Sequence, residues 1–267
     1  MIRILRKLVA NRNLLKNLIA RDLKHRYVGS MGGFLWSVIH PLVLLVSYTF
    51  LFGVIFRFRL GPASGTDSFG LFLFCGLLPW ILFSDTVIRN CSAITDNAPL
   101  ITKTVIPAEI LPLAITISNL VHHLIWLTIL LAFMVTFYSI HLSVLWILLY
   151  LPMLLMLAQG LGWIMAGLHV FVRDTIQGLQ IVLLLWMYFT PIFYSVDLVQ
   201  ANLSANSRIL YNLNPMVVIV TGYRNSLLHL NQPSPGQIGL VLAASLAVFI
   251  AGGLLFRQTK PAFPDVL

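Results

Sequence analysis

Six long apolar segments dominate the sequence and restrict the chain to one class of fold. A helix needs about 20 apolar residues to cross a bilayer core about 30 Å thick. The segments occupy residues 34–56, 69–88, 108–137, 144–171, 178–196 and 238–256. Because backbone groups inside a bilayer must satisfy their hydrogen bonds within the protein, these segments predict six transmembrane helices.

The composition favours a membrane protein over the nucleic-acid-binding class that its charge suggests. Hydrophobic residues make up 59% of the 267-residue chain and charged residues only 9%, whereas about 25% of the residues in globular domains are charged. The formal net charge is +9, but the basic residues lie between apolar segments, without interleaved aromatic side chains. We therefore predict one all-α transmembrane domain over residues 1–267, with membrane lipids and no nucleic acid as partners.

The distribution of Lys and Arg predicts the orientation of the chain in the membrane. Thirteen of the 17 lie in the amino-terminal arm, in loop 89–107, at Arg173 and in the tail, and four lie on the opposite side. Loops rich in Lys and Arg stay in the cytoplasm, so both termini are predicted to be cytoplasmic. Residues 1–33 then form a cytoplasmic arm, residues 34–256 the six spans, and residues 257–267 a cytoplasmic tail.

The arm contains a basic amphipathic segment just before the first span. A helical projection gathers its apolar residues within about a half-circle. These residues are Leu14, Leu15, Leu18, Ile19 and Leu23. Asp22 and Arg26 interrupt this face four residues apart, so they can pair with each other or with another protein. The pattern predicts a surface helix that either floats on anionic lipid or lies between the membrane and a cytoplasmic partner.

Loop 89–107 is the longest predicted cytoplasmic connection, well beyond the two to eight residues, roughly, that usually join helices. Asp96, Asn97 and Pro99 open a short amphipathic run that reaches Lys103. We predict that this run forms a short helix under the membrane.

The second cytoplasmic connection is a tight turn that carries Arg173 and Asp174. These charges can be solvated boundary residues, which is the common role of charges at span ends. A tight charged turn is also a natural contact point for a partner protein.

Residues 197–236 are too polar to span the bilayer and too apolar for an ordinary loop. Asn214 and Pro215 make a good helix start, with Asn as the cap and Pro at the first helical position. The apolar run that follows carries Arg224 and extends to Gln232 and Pro233. We predict a pair of re-entrant or surface half-helices at the outer mouth.

The sequence contains no motif for nucleotide binding or metalloprotease chemistry. His122 and His123 are adjacent, so on a helix they point about 100° apart and cannot easily share one metal ion. Asp85 and Glu109 lie near span ends, whereas a proton-coupled carrier usually buries a carboxylate at mid-membrane. We therefore expect no catalytic residue, metal or cofactor in this chain.

Aromatic and hydroxyl side chains form a stripe on the first span and another on the fifth. Each stripe lies within an arc of about 120° or less on a helical projection. The members are Trp36, Ser37, His40, Ser47 and Tyr48 on the first span and Trp186, Thr190, Phe193 and Tyr194 on the fifth. Trp and Tyr near span ends also form interfacial belts, but rings beside hydroxyl groups suit a sugar, so both stripes are candidate walls of a substrate channel.

Three stretches together resemble a known family of transporters: RDLKHRYVGSMGGFLWSVIHPL, PIFYS and NPMVVIVTGYRNSLL. They are similar to the membrane subunit of type-2 ABC exporters, which move O-antigen, capsular polysaccharide or teichoic acid across bacterial inner membranes. The resemblance covers nearly the whole chain. It implies a homodimer of six-span subunits that is bound to two ATPase chains, and these partners would bind ATP and Mg.

The resemblance also implies roles for three segments. It implies an amino-terminal interface helix at residues 14–27, a cytoplasmic coupling helix at residues 91–103, and outer half-helices between spans five and six. The candidate coupling residues are Asp22, Arg26, Asp96, Asn97, Pro99, Lys103, Arg173 and Asp174.

The sequence and the resemblance together predict a permease rather than an enzyme. It would export a lipid-linked polysaccharide, using ATP that a partner chain hydrolyses. Export of a drug or a plain lipid is an alternative, because such exporters share the general layout. A membrane-embedded enzyme that modifies glycans is a more distant one.

Overall fold

The chain is helical in a computed structural model that describes residues 11–25, 35–56, 64–103, 107–138, 141–202, 204, 208 and 211–267. Within these ranges the backbone alone is described at residues 25, 37, 38, 40, 41, 103, 198, 200 and 201. The described residues contain helices and turns but no strand, which confirms the all-α prediction.

Each predicted span contains a described helix, although the helix in the fifth ends well before residue 196. In chain order they are α1 (Arg12–His25), α2 (Trp36–Tyr48), α3 (Phe69–Ser92), α4 (Ala98–Lys103), α5 (Ile110–Phe137), α6 (Ile147–Phe171), α7 (Thr175–Tyr188), α8 (Val196–Asn202), α9 (Pro215–Leu227), α10 (Pro235–Thr259) and α11 (Phe263–Val266). Among the described residues, α3, α5, α6 and α10 belong to the four segments that are long and apolar enough to cross a membrane. The chain is therefore a multi-pass membrane protein.

The segment predicted as the first span changes its helical geometry partway along. A π-helix over Thr49–Ile55 directly follows α2. The Thr49 hydroxyl donates a hydrogen bond to the Leu45 carbonyl at 2.7 Å, and the Phe56 amide donates to the Leu51 carbonyl at 2.9 Å. The extra residue per turn rotates the following side chains relative to an uninterrupted α-helix.

The segment predicted as the fifth span, 178–196, is helical only as far as Tyr188. Pro191 explains the early end, because it lacks an N–H group and disfavours the helical conformation at Thr190. The chain turns there, and the Ile192 amide donates to the Thr190 carbonyl at 2.7 Å. Only Trp186 of the fifth-span stripe lies on α7, and the rest of that stripe lies in the turns that follow.

The predicted helix start at Asn214 and Pro215 is confirmed in α9. The Asn214 side chain accepts a hydrogen bond from the Met216 amide at 3.0 Å. The helix ends at Leu227 rather than near Gln232, and His229 follows with a φ of 56°. At about 1.5 Å per residue, α9 is about 20 Å long, too short to cross a bilayer.

Helices α6 and α10 approach each other closely where glycines meet. A Cβ atom on Gly160 would lie 2.6 Å from the Val248 carbonyl oxygen and 2.7 Å from Phe249 Cα. A Cβ atom on Gly252 would strike the backbone of Gly160. Small residues let helices in membranes pack backbone against backbone, which increases the dispersion attraction between them.

Helices α1 and α9 pack at opposite ends of α3. Leu18 of α1 is buried in a cluster with Trp163 and Phe256, near the carboxyl-terminal end of α3. The predicted apolar residues Leu14, Leu15 and Ile19 pack on the same cluster. Arg224 of α9 instead contacts Phe72 near the beginning of α3, and the stretch from Phe72 to Arg89, where Asp22 of α1 pairs, measures about 26 Å along the helix. We call these two ends of α3 the interface-helix end and the half-helix end.

Candidate substrate path and coupling surface

A cavity of about 670 Å³ lies between α2, α3 and α5. Trp36 and Tyr48 line it from α2, as members of the predicted first-span stripe. Trp80 of α3 and Trp126 of α5 line it too, although neither was among the predicted channel residues. We call this space the ring-lined cavity.

Polar groups stand among the rings of this cavity. Ser84 and Asp85 line it from α3, and Asn119 and His122 line it from α5. Rings bind the C–H faces of a ligand, whereas carboxylate, amide and hydroxyl groups bind its hydroxyls. The ring-lined cavity therefore offers the mixture of apolar faces and hydrogen-bonding groups that a sugar requires.

His123 points to an internal partner rather than pairing with His122 around a metal. Its Nε2 lies 3.2 Å from the Tyr223 hydroxyl, and the two rings meet edge to face with centroids 5.7 Å apart. No group of three metal-ligating side chains occurs among the described residues.

Two members of the fifth-span stripe surround Asn214, the cap of α9. The indole nitrogen of Trp186 donates to Asn214 Oδ1 at 2.8 Å, and Asn214 Nδ2 lies 3.4 Å from the Thr190 hydroxyl. Thr190 is fully buried, and the Trp186 ring meets Phe83 edge to face. In the described chain these side chains hold the half-helix rather than line the ring-lined cavity.

The other predicted channel residues occupy several different environments. Phe193 stacks on Tyr188 with ring centroids 6.1 Å apart, and the Tyr194 hydroxyl donates to the Tyr188 carbonyl at 2.9 Å. Ser47 is exposed on α2. The side chains of Ser37 and His40 lie outside the described part of the structure. Two of the nine predicted residues, Trp36 and Tyr48, thus share one cavity.

Asp22 connects α1 to two other helices. Its carboxylate forms an ion pair with Arg89, near the end of α3, and accepts a hydrogen bond from Ser118 of α5 at 2.5 Å. Arg89 also donates to Asn119 Oδ1 at 2.9 Å, and Asn119 Nδ2 donates to the Thr86 hydroxyl at 3.1 Å. The sequence marked Asp22 as a pairing residue but not Arg89, because 67 residues separate them.

A second contact joins α1 to the segment that precedes α4. Arg21 donates to Asn97 Oδ1 at 2.7 Å, and Asn97 Nδ2 donates to the Ala93 carbonyl at 2.9 Å. Ser92 donates to Asp96 at 2.7 Å. A cavity of about 580 Å³ lies between these residues. The interface helix and the predicted coupling segment are thus joined directly.

The two predicted cytoplasmic connections meet at one surface. Asp96 from the first connection and Arg173 from the second line a cavity of about 400 Å³, together with Gln177 and Leu267. Pro99 and Asp174 are exposed nearby in sequence. We call this surface, formed around Asp96 and Arg173, the two-loop surface. Arg26 lies outside the described residues, and so does the Lys103 side chain.

Two ionic side chains of the described structure have partners that no local sequence pattern indicates. Lys260 in the tail forms an ion pair with Glu109, at the start of α5, with a distance of 2.8 Å between nitrogen and oxygen. Arg224 is 3% exposed and donates to the carbonyls of Phe72 and Ile192 at 3.2 and 2.9 Å. A single charge within an apolar run is the sequence signal that could have marked Arg224 as a buried, hydrogen-bonded residue.

Comparisons with known proteins agree with this architecture. The model of the ABC-2 type transporter family matches residues 13–228. A relative from Myxococcus xanthus, named O-antigen export system permease protein RfbA, is 32% identical over 99% of both chains. A relative of the same name from Klebsiella pneumoniae is 27% identical over 96% of this chain and 95% of its own. The chain belongs to the ABC-2 type transporter family.

Proposed function

We propose that this chain is the membrane subunit of an ATP-driven exporter that moves a lipid-linked polysaccharide from the cytoplasmic to the outer side of the bacterial inner membrane. The observation that carries the proposal is the ring-lined cavity, where Trp36, Tyr48, Trp80 and Trp126 stand beside Asp85. The relatives named as O-antigen export permeases supply independent support for a polysaccharide substrate.

In the proposed assembly both termini are cytoplasmic and six helices cross the membrane. The π-extended α2 and α7 are the two shorter crossings, and α8 and α9 are the re-entrant half-helices. Thirteen of the 17 basic residues then face the cytoplasm, as the positive-inside rule requires. The half-helix end faces outward.

A second copy of the chain would complete the proposed substrate path. Large apolar side chains are exposed along α2 and α7: Val43 is 55% exposed, Leu185 54% and Tyr188 59%. Trp36, in the wall of the ring-lined cavity, is 52% exposed. Exposed apolar faces that flank a partly open cavity support a homodimer in which two copies enclose the path.

Two copies of a separate ATPase would bind at the interface-helix end. The two-loop surface supports this proposal, since it combines charges from both cytoplasmic connections on one protein face. The ion pair of Asp22 with Arg89 and the bond of Arg21 to Asn97 tie that region to α3 and α1. Movement of a bound ATPase would thereby be transmitted to helices that line the ring-lined cavity.

Reconstitution with a candidate ATPase tests the proposal. We expect ATP hydrolysis in proteoliposomes to rise when a lipid-linked polysaccharide is added, and the polymer to become accessible on the opposite side. The matched controls are the same lipid without sugars, a hydrophobic drug, and a complex whose ATPase lacks its P-loop Lys. Stimulation by the drug or the plain lipid but not by the glycan would contradict a polysaccharide exporter.

A further inference from the structure

We propose that a separate polar cavity at the half-helix end binds a neutral saccharide unit of the polymer, through its hydroxyl groups. The inference rests on the proposed function for the identity of the sugar. The cavity has a volume of about 450 Å³ and shares no lining residue with the ring-lined cavity. Its size falls within the range of about 300 to 1,000 Å³ that is typical of small-molecule sites. We call it the half-helix cavity.

Side-chain amides dominate the chemistry of the half-helix cavity. Asn212, Asn225, Gln232 and Gln237 all line it. Each amide offers two donors and one acceptor oxygen, and each sugar hydroxyl is likewise both donor and acceptor. Phe72 alone is aromatic among the described lining residues, so this site recognises its ligand by hydrogen bonds rather than by ring stacking.

The hydroxyl of Thr221 supplies an independent sign of a ligand. Three other helical threonines of this chain donate to the carbonyl four residues earlier, at 3.0 Å for Thr116, 2.8 Å for Thr128 and 2.9 Å for Thr136. Thr221 lines the half-helix cavity, but its hydroxyl oxygen is buried behind the accessible surface and has no hydrogen-bond partner in the described part of the chain. A buried hydroxyl without a partner is costly, so rotation of this side chain toward a bound ligand would gain a hydrogen bond.

Gln232, on another wall of the cavity, also has a buried polar atom without a hydrogen-bond partner among the described residues. Its Oε1 accepts a hydrogen bond from the Tyr150 hydroxyl at 3.1 Å, which fixes the amide. Its Nε2 is buried and has no hydrogen-bond partner among the residues that the structure describes. Thr221 and Gln232 therefore border one cavity, and each carries a buried polar atom that a ligand able to donate and accept hydrogen bonds would satisfy after a small side-chain rotation.

The charges of the cavity favour a neutral sugar over an anionic one. The guanidinium of Arg224 donates to two backbone carbonyls and lies 3.7 Å above the Phe72 ring, so its charge is already engaged. Asp197 lines the cavity and is exposed, which repels an acidic sugar or a phosphate. With no charge on the described walls of the cavity available to bind an anion, the side-chain amides recognise the ligand through its hydroxyl groups.

The walls of the cavity are held before any ligand binds. Asn225 donates to the Asn231 carbonyl at 2.5 Å, and Ser234 and Gln237 form a reciprocal cap at the start of α10. These bonds fix the segment that carries Gln232 against α9. Preorganised walls reduce the ordering cost of binding, which lets a small ligand bind with few contacts.

Thiol labelling of the reconstituted complex tests the site directly. The probe is a short, tritiated, lipid-free oligosaccharide released from the surface polysaccharide of the cells that carry the gene. A membrane-impermeant thiol reagent should label Asn231→Cys, because Asn231 lines the cavity and its side chain is exposed. The probe should slow that labelling about fivefold at about four times its Kd, because free site falls as 1 + [L]/Kd. Cys75 and Cys91 are buried, so the unsubstituted chain measures background labelling.

Leu142→Cys is the matched control, since Leu142 is 84% exposed in the turn before α6 at the same end of the chain. Its labelling should not change when the probe is added. Protection of Leu142→Cys and Asn231→Cys alike, or of neither, would overturn the half-helix site.

Direct binding of the tritiated probe gives a second readout that needs no cysteine. Thr221→Val keeps the shape but removes the hydroxyl, and should weaken binding about fivefold, the effect of losing one hydrogen bond of about 1 kcal/mol. Thr221→Ser should restore it. Unchanged binding by Thr221→Val refutes this site even when the complex exports polysaccharide. If the unsubstituted complex binds the probe in both assays but exports no polysaccharide, the proposed function is refuted and the half-helix site is not.

Discussion

The carboxylate of Asp22 and the guanidinium of Arg89 form an ion pair that joins the amino-terminal surface helix to the end of α3. The pair is only partly exposed, at 20% for the Asp22 side chain and 31% for Arg89. Ser118 and Asn119 of α5 complete its hydrogen bonds. Removing one partner of such a pair costs more than it does at a fully exposed salt bridge, because the remaining charge is left partly buried without compensation.

A double-mutant cycle should detect this coupling. We expect Asp22→Ala and Arg89→Ala each to destabilise the detergent-solubilised protein, and the double variant to be less destabilised than the sum by about 1 to 2 kcal/mol. Thermal unfolding under reversible conditions measures it. Asp174, exposed at the second connection, provides the control substitution Asp174→Ala, which should have little effect. Additive losses in the cycle would show that the two charges act independently.

A single methyl group should have opposite effects at two glycines of the chain. Gly160→Ala places its new atom against the backbone of α10, at 2.6 Å from the Val248 oxygen, and should cost about 1 to 3 kcal/mol. Gly239→Ala, in α10, meets no atom within 4 Å and should stabilise by about 0.5 to 1 kcal/mol through its effect on the unfolded chain. Comparative thermal melts of the two variants test this, and equal melting temperatures would contradict the close packing of α6 on α10.

Arg224→Lys should be poorly tolerated despite keeping the charge. A Lys ammonium cannot reproduce the planar stack on Phe72 together with the hydrogen bonds to the carbonyls of Phe72 and Ile192. We expect a loss of about 2 to 3 kcal/mol, from hydrogen bonds to a charged group. Arg257→Lys is the matched control, because Arg257 is exposed on α10. Limited proteolysis of α9 and its flanking turns measures the effect. Equal protection in both variants would argue against a role for Arg224 in holding α9 on α3.

The two aromatic stripes should respond differently to truncation. Trp36→Ala and Tyr48→Ala remove rings from the ring-lined cavity and should slow export while the protein stays folded, at about 0.5 to 1.5 kcal/mol per lost stacking contact. Trp186→Ala leaves Asn214 without its 2.8 Å donor and opens a void beside Phe83, so it should destabilise the protein by about 3 to 5 kcal/mol. Export per folded molecule and melting temperature separate the two effects. Normal export by Trp36→Ala and Tyr48→Ala would remove this cavity from the path.

Replacing Ala98–Lys103 with a Gly and Ser linker should uncouple ATP hydrolysis from export. The helix stands next to Asp96 and Asn97, which link it to α3 and to Arg21 of α1. We expect the chain to insert normally and the complex to lose substrate-stimulated hydrolysis. Replacement of the same six residues with alanine, which preserves the helix, is the matched control for insertion and folding. Unchanged stimulation in the α4 variant would place the docking element elsewhere.

The sequence by itself determined the features that depend on local pattern and short-range chemistry. Of the six spans predicted from runs of apolar residues, four correspond to described helices that are long and apolar enough to cross a membrane. Asn214 and Pro215 established the start of α9 because a side-chain cap acts within two residues. The apolar face of α1 followed from helical periodicity, and Leu18 is buried as that periodicity predicts.

Only the tertiary structure decided which side chains meet. Helical periodicity says which face a residue occupies, but the partner of that face depends on how distant helices pack. Trp186 therefore donates a hydrogen bond to Asn214, the cap of α9, whereas Trp36 lines a cavity together with Trp126. Arg224 reaches a carbonyl 152 residues away, a pairing that no local pattern encodes. A buried charge must find hydrogen bonds wherever packing brings acceptors within reach, and that is a property of the folded chain.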